Sequence, residues 1–152
     1  MKTITLESYG KVNLGLDVLY KRRDNYHELR TIMQEISLKD TVTIKEIKDG
    51  IIIESNNKDV PLDHRNLVYK AWEGIKKKSG LNNGVHIKIH KKIPGAAGLA
   101  GGSTNAAAVL RGLNQLWDLN FSQEELRIMG KELGADVPYC ISGGTALAEG
   151  IG

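Results

Sequence analysis

Apolar and polar residues alternate through much of the first half of the chain. In the segment KVNLGLDVLY, residues 11–20, four apolar residues alternate with polar or small ones: Val12, Leu14, Leu16 and Val18. A period of two predicts a strand with one apolar face, and it places Lys11 and Asn13 together on the opposite face. Similar patterns predict further strands at Thr3–Ser8, Leu29–Leu38, Thr41–Ile47, Ile51–Glu54 and Val85–Ile93.

Three segments carry helical signals. Asn66–Ser79 has apolar residues at helical spacing and Gly80 as a stop signal. A second helix is predicted from about Ser103 to Trp117. A third is predicted from Ser122 to Gly134, and its start carries the sequence of a capping box, with Glu125 as the partner of Ser122.

The chain closes with SGGTALAEGIG, residues 142–152, which predicts a turn and then a strand. Nothing follows that could cover this strand, so it is either an edge strand at a natural terminus or part of a chain that continues in the intact protein, and its pairing partner is expected to be missing. The interpretation we favour is that the chain is a truncated piece of a longer protein.

Composition narrows the class of protein. The 152 residues are 41% hydrophobic and 26% charged, which predicts one globular domain. The net charge of +3 is too small to require nucleic acid, although it suits anionic phosphates. The single cysteine, Cys140, excludes an internal disulfide, and no targeting or membrane-spanning stretch is recognisable. We therefore expect a cytoplasmic protein with no membrane partner.

A glycine-rich segment, PGAAGLAGGSTN at residues 94–105, directly precedes the second predicted helix. Small residues let backbone approach a ligand, and the first N–H groups of a helix lack internal partners, so the segment predicts a phosphate site. It is not a Walker loop, because Gly102 stands where lysine is required, and Ala100 breaks G-x-G-x-x-G. The alternative is a flexible surface loop with Ser103 as an ordinary helix cap.

Two charged residues could serve a phosphate site. Asp136 could accept a hydroxyl proton, and Lys11 could stabilise anionic groups. The alternatives are that Asp136 caps a helix and that Lys11 is a solvated strand lysine. His86 and His90 would lie roughly 13 Å apart on a strand, too far to share a metal ion, and are expected at the surface. Core positions are expected for the large side chains Met33, Trp72 and Trp117.

Three motifs occur in a recognisable order: GKVNLGLDVLYKRRDNYHEL, PGAAGLAGGSTNAAA and LGADVPYCISGGTALAEGIG. Together they resemble the GHMP kinase superfamily, and most closely its branch that phosphorylates 4-diphosphocytidyl-2-C-methyl-D-erythritol in the non-mevalonate isoprenoid pathway. The resemblance implies an α+β fold, the GHMP kinase amino-terminal domain, which is shared with domain 2 of ribosomal protein S5. It covers essentially the whole chain as one domain, 1–152, with a carboxy-terminal GHMP domain expected beyond it.

The resemblance also implies roles for individual residues. Lys11 and Asp136 match the catalytic pair, with Asp136 also touching the substrate. The substrate contacts would be Asn13, Tyr26 and His27. ATP would be the phosphoryl donor, with Mg²⁺ on its phosphates and no protein metal ligand assigned. The residues matched to the ATP site are Asn66, Leu67, Pro94, Gly95, Ala96, Ala97, Gly98, Leu99, Ala100, Gly101, Gly102, Ser103, Thr104 and Asn105.

The resemblance is imperfect in two places, because Asn25 and Ala100 stand where the family usually has glycine. The partner is expected to be a small cytidyl diphosphate and not a nucleic acid, and turnover by this chain alone is expected to be weak or absent. Two alternatives stay open. The first is another GHMP kinase acting on homoserine, mevalonate or a sugar, and the second is a non-catalytic RNA-binding module.

Overall fold

The structure is a computed structural model that describes residues 2–24, 27–95, 98–143 and 145–151, with backbone alone for 16–18, 27–31 and 145–151. Strands and helices are mixed along the chain, as expected for an α+β protein. In chain order the elements are β1 (Thr3–Lys21), β2 (His27–Ile47), β3 (Ile51–Ser55), α1 (Leu67–Ser79), β4 (Gly84–His90), α2 (Gly101–Leu116), α3 (Gln123–Leu133), α4 (Val137–Ser142) and β5 (Thr145–Ile151).

The strands form one five-stranded sheet in which β2 is central. One edge of β2 pairs antiparallel with β1, and β2 also pairs antiparallel with β4 and with β5. Strand β3 pairs with β4 in parallel, with α1 as the connection between them. Parallel neighbours need such a crossover connection, because a tight hairpin can join only antiparallel strands.

Strands β1 and β2 are each longer than predicted. Thr3–Ser8 continues through residues 11–20 into one strand, and Leu29–Leu38 continues into Thr41–Ile47. The register between β1 and β2 shifts between Tyr9 and Lys11 and again further along. Such irregularities let a long strand bend and twist while it stays paired, so a local break in alternation does not end the strand.

The last strand has a partner, so the expectation of an unpaired final strand was wrong. Strand β5 pairs with the first part of β2, from Glu28↔Ile151 to Gln34↔Thr145. Pairing with a distant segment leaves no local sequence signal, because β2 lies more than a hundred residues earlier in the chain.

The hydrophobic core lies between the sheet and the helices. Val42 and Ile44 of β2 and Ile87 and Ile89 of β4 are all fully buried on the sheet face that meets the helices. Helix α2 packs against this face of the sheet at its Gly112. A Cβ atom on its Gly112 would lie 2.7 Å from the ends of Leu6 and Ile44, so glycine permits the close approach. Met33, Trp72 and Trp117 are buried, as predicted.

The helix ends follow the sequence signals closely. Asn66 accepts the Val68 N–H and caps α1, and Ser122 and Glu125 complete the capping box of α3. Helix α4 was anticipated only through the alternative that Asp136 caps a helix, because its six residues are too few to show a period. Among the helices of the described residues, none is long and apolar enough to cross a membrane.

Two glycine substitutions should have opposite effects on stability. Gly84→Ala should lower the free energy of unfolding by about 1–3 kcal/mol, since its Cβ would lie 2.3 Å from the carbonyl carbon of Asp49, which is backbone and cannot rotate away. Gly74→Ala is the matched control. It lies inside α1 with open space around the added methyl, and helix propensity should raise stability by up to about 1 kcal/mol. Urea unfolding measures both, and equal effects would contradict this packing.

Candidate functional site

Lys11 is buried in β1 with only 4% of its surface exposed, so the alternative of a solvated strand lysine is wrong. Its backbone N–H donates to the carbonyl oxygen of Leu99 at 3.0 Å, which joins β1 directly to the glycine-rich segment. The apolar face predicted for this strand is not buried throughout, because Leu14 is 62% exposed. A buried ammonium on a polar strand face requires anionic or hydrogen-bonding partners nearby.

Asp136 supplies the facing charge. Its Oδ2 lies 3.8 Å from Lys11 Nζ, and 41% of its side chain is exposed, compared with 5% for Lys11. The residue occupies the N-cap position of α4, but within the described residues its side chain makes no capping hydrogen bond. Asp136 therefore occupies a capping position, as the alternative predicted, but its carboxylate does not cap the helix and stays available to a ligand.

The glycine-rich segment leads into α2 in a conformation that favours glycine. Gly98 has φ +71° and Ala100, the N-cap residue, has φ 59° and ψ 35°, in the left-handed region. Helix α2 begins at Gly101, two residues earlier than predicted, so Ser103 lies inside the helix and the alternative of Ser103 as a cap is wrong.

In the part of the chain that the structure describes, the first N–H groups of α2 have no hydrogen-bond acceptor. Its first bond of the i to i−4 type runs from Thr104 N to Ala100 O at 2.8 Å, so the N–H groups of Gly101, Gly102 and Ser103 precede the helical ladder. Gly102 is exposed. Such groups, together with the helix dipole, attract an anion. This geometry favours a phosphate site over a plain surface loop.

The starts of α2 and α4 lie side by side. Helices α2 and α4 are in contact, and Ser103 Oγ lies 3.9 Å from the position that a Cβ of Gly134 would take. Burial raises the pKa of Cys140 to about 11, and the nearby Asp136 charge acts in the same direction. The helix that carries Asp136 is thereby fixed against the helix that offers the free N–H groups.

The polar side chains of Asn66 and Asn105 are engaged within the chain. Asn66 Nδ2 donates to Pro61 O, and its Oδ1 accepts the Val68 N–H. Asn105 is 3% exposed and bonds to Ser8 and other buried groups. Both side-chain amides are therefore occupied by contacts within the chain, so these two residues would serve a ligand through their backbone or by positioning their neighbours.

The remaining predicted residues are distributed around this centre. Asn13 is exposed on β1, Leu67 is half-buried at the start of α1, and Pro94 and Gly95 are exposed. Tyr26, Ala96 and Ala97 lie outside the described residues, and for His27 the structure gives only its backbone pairing with Lys21. His90 is exposed, as predicted, and the half-buried His86 hydrogen-bonds to Glu54 at 2.9 Å.

Sequence reasoning missed Asp40 and Lys91. Asp40 is fully buried and Lys91 stands three residues before Pro94, where the glycine-rich segment begins. One signal was available, because an aspartate between the apolar stretches of a long strand is unusual unless it is paired.

Comparison with known proteins identifies the family. The sequence pattern of the GHMP kinases N terminal domain family matches residues 66–144, which include the glycine-rich segment, Asp136 and all of α1 to α4. The chain belongs to the GHMP kinase family. The family assignment agrees with the expected α+β fold and with the GHMP amino-terminal domain.

Curated relatives of this GHMP kinase domain carry one enzyme name. Proteins named 4-diphosphocytidyl-2-C-methyl-D-erythritol kinase match from Clostridioides difficile, 56% identical over all of this chain and 52% of theirs, and from Caldicellulosiruptor bescii, 53% identical over 97% of this chain and 52% of theirs. A crystal structure of 4-(cytidine 5'-diphospho)-2C-methyl-D-erythritol kinase superposes with a TM-score of 0.86 at 36% identity, covering 98% of this chain and 53% of that one. The chain thus spans about half the length of the curated relatives it matches.

Replacing Ala100 by glycine should stabilise the domain. A left-handed alanine costs roughly 1–2 kcal/mol, and the greater freedom of glycine in the unfolded chain offsets only part of that gain. We expect Ala100→Gly to raise the free energy of unfolding by up to about 1 kcal/mol. The control Ala107→Gly, inside the same helix, should lower it by about 1 kcal/mol or more. Chemical unfolding tests both, and a loss of stability in Ala100→Gly would contradict the N-cap geometry.

The Cys140 thiol should react slowly in the folded domain. With a pKa of about 11 it is protonated at pH 8, whereas in the unfolded chain the pKa returns to about 9 and more thiolate forms. A thiol-specific disulfide reagent at pH 8 should modify the native chain much more slowly than the chain in denaturant, and Cys140 is the single thiol. Equal rates would show that the Cys140 thiol is not buried and that its pKa is not raised.

Proposed function

We propose that this chain provides the ATP-binding and proton-accepting half of a kinase that phosphorylates the 2-hydroxyl of 4-diphosphocytidyl-2-C-methyl-D-erythritol in the non-mevalonate isoprenoid pathway. One observation carries the proposal: the buried Lys11 ammonium and the half-exposed Asp136 carboxylate face each other at 3.8 Å beside the N-terminus of α2. A phosphoryl-transfer site needs an anion-binding element and a proton acceptor close together.

The glycine-rich segment is the proposed phosphate contact. Phosphate oxygens of ATP would accept hydrogen bonds from the N–H groups of Gly101, Gly102 and Ser103 and from the Ser103 hydroxyl. The left-handed backbone of Ala100 sets the direction in which the helix starts. The residues present fit a triphosphate, since the first turn of α2 carries no acidic side chain. Mg²⁺, if bound with ATP, would neutralise charge on the phosphates.

Asp136 is the proposed base. Its carboxylate is exposed enough to meet an acceptor hydroxyl and would take the hydroxyl proton as oxygen attacks the γ-phosphorus. Lys11 is the proposed partner, because its ammonium attracts and orients the carboxylate and adds positive charge next to the incoming phosphate. In this arrangement the hydroxyl proton moves to Asp136, the acceptor oxygen bonds to the γ-phosphorus, and the bond from the γ-phosphorus to the bridging oxygen breaks so that ADP leaves.

The acceptor is proposed from the relatives, whose names specify the cytidyl substrate. Asn13 is exposed on β1 two residues from Lys11, in reach of a substrate held at Asp136. Tyr26 would stack on the cytosine ring and His27 would hydrogen-bond to its edge. The proposal includes a small-molecule partner and a cytoplasmic site of action.

The rival classes predict different behaviour. Another GHMP kinase would keep the phosphate site and prefer homoserine, mevalonate or a sugar. An RNA-binding module would depend on basic side chains, would weaken steeply with salt and would be insensitive to Asp136. The direct Lys11–Asp136 pairing favours a kinase, since a backbone binder gains nothing from a carboxylate in its site.

Phosphoryl transfer from γ-labelled ATP tests the proposal. The chain, and a longer form that extends to the length of its relatives, would be given Mg²⁺ and each of four acceptors: the cytidyl substrate, homoserine, mevalonate and galactose. We expect labelled product with the cytidyl substrate only, and less from the 152-residue chain. Asp136→Asn should lower the rate about a hundredfold or more, in the range of a lost general base.

Two controls make the assay specific. Asp59→Asn, an exposed aspartate in the segment between β3 and α1, should leave the rate unchanged. Tyr26→Ala should reduce the preference for the cytidyl acceptor while the affinity for ATP stays. Transfer to another acceptor would replace the proposed substrate, and a rate in Asp136→Asn equal to that of the parent would remove Asp136 as the base.

A further inference from the structure

A buried polar cluster contacts both the residues that enter the glycine-rich segment and the first turn of α2. We use the term Asp40 cluster for Asp40, Lys91, Asn105 and Ser8. Asp40 is fully buried and its Oδ2 accepts from Lys91 Nζ at 2.5 Å and from Asn105 Nδ2 at 3.0 Å. Asn105 in turn accepts from Lys91 Nζ at 3.1 Å and donates to Ser8 Oγ at 2.9 Å.

The other oxygen of Asp40 binds backbone at the entry to the glycine-rich segment. Its Oδ1 accepts the N–H of Lys92 at 2.7 Å and the N–H of Ile93 at 2.9 Å, immediately before Pro94. A single carboxylate of β2 thus holds the residues that enter the segment, while Asn105 holds the helix into which the segment leads. Both ends of the glycine-rich segment are therefore fixed to the same group.

The charges in the Asp40 cluster depend on each other. Lys91 Nζ lies 3.0 Å from where a Cβ of Gly101 would stand, beside the positive end of the α2 dipole. Burial alone would raise the pKa of Asp40, but hydrogen bonds from Ile93, Lys91, Lys92 and Asn105 outweigh it and hold the pKa below its usual value. Removal of the Asp40 charge would leave a buried ammonium unpaired next to the first turn of α2.

We propose that Asp40 is a positioning residue that sets the glycine-rich segment and the first turn of α2 in the geometry that receives the phosphates of ATP. This inference rests on the proposed function, because a positioning role has meaning only if the segment binds ATP. Asp40 would act without touching the nucleotide. Asp40 acts through Lys91 and Asn105, whose buried side chains transmit its position to Gly101 and to the rest of the first turn.

The test compares two positioning variants with a matched control. Asp40→Asn keeps the shape of the side chain and removes its charge, and Asn105→Ala removes the link to α2 while leaving the Asp40–Lys91 pair. The control is Asn114→Ala, because Asn114 bonds to the N–H and C=O of Phe121 at the other end of the same helix and tethers a different loop. Unfolding midpoints, amide hydrogen exchange and the Kd for a fluorescent ATP analogue with Mg²⁺ are measured on the full 152-residue chain.

We expect faster exchange at residues 92–104 in both positioning variants, and a Kd raised about tenfold, since an unpaired buried group costs the equivalent of roughly that factor. Asn114→Ala should lower the unfolding midpoint to a similar extent, with exchange at 92–104 and Kd unchanged. If Asp40→Asn does not fold, Asn105→Ala alone tests whether the cluster positions the glycine-rich segment.

Two results would overturn the inference: exchange at 92–104 that stays at the parent value in the positioning variants, or a Kd that rises equally in Asn114→Ala. Absence of ATP binding by the parent chain would contradict the proposed nucleotide site instead, and the exchange comparison would still decide whether Asp40 holds the segment.

Discussion

The placement of helix α2 is the constraint on which the rest of the structure depends. Its body must pack closely on the sheet, and this is possible because Gly112 has no side chain to collide with Ile44 of β2 and Leu6 of β1. Its N-terminus must stay open, because the N–H groups before Thr104 carry the proposed phosphate contacts. One helix therefore couples the hydrophobic core to the candidate site, and a shift in its packing moves the site as well.

Polar groups around this helix are buried at a cost that their neighbours offset. The ammonium of Lys11 faces Asp136, and the carboxylate of Asp40 receives four hydrogen bonds from backbone and side chains. A buried ion pair such as Asp40–Lys91 contributes little net stability compared with apolar packing, but it defines one arrangement of the groups it joins. Asp40 binds the backbone that enters the glycine-rich segment, and Lys11 binds the segment itself at Leu99, so both charged groups help to fix the backbone of the candidate site.

Local sequence signals predicted the helices and much of the sheet, because caps, periods of 2 and 3.6, and glycine stops act over a few residues. Asn66, Ser122 and Gly80 mark helix ends as expected. Pairing of β5 with β2, the burial of Lys11 and the exposure of Leu14 could not be deduced, since they depend on which distant segments meet. The motifs identified Lys11 and Asp136, yet their direct pairing, and the whole Asp40 cluster, arise only when β1, β2 and the helices are assembled.

The side of the candidate site proposed to hold ATP and the side proposed to hold the acceptor are built from different kinds of residues. The donor side is made of helix N–H groups and buried polar pairs on rigid elements, so its geometry is set by the fold. The side proposed for the acceptor consists of the exposed Asn13 on β1 and of the Asp136 carboxylate, which is partly open to solvent. The proposed phosphoryl transfer requires water to be kept from the reacting groups, so an acceptor bound at Asp136 would cover part of this side. Under the proposed function, nucleotide binding would be a property of the scaffold, whereas the choice of acceptor would depend on exposed side chains that can change without disturbing the core.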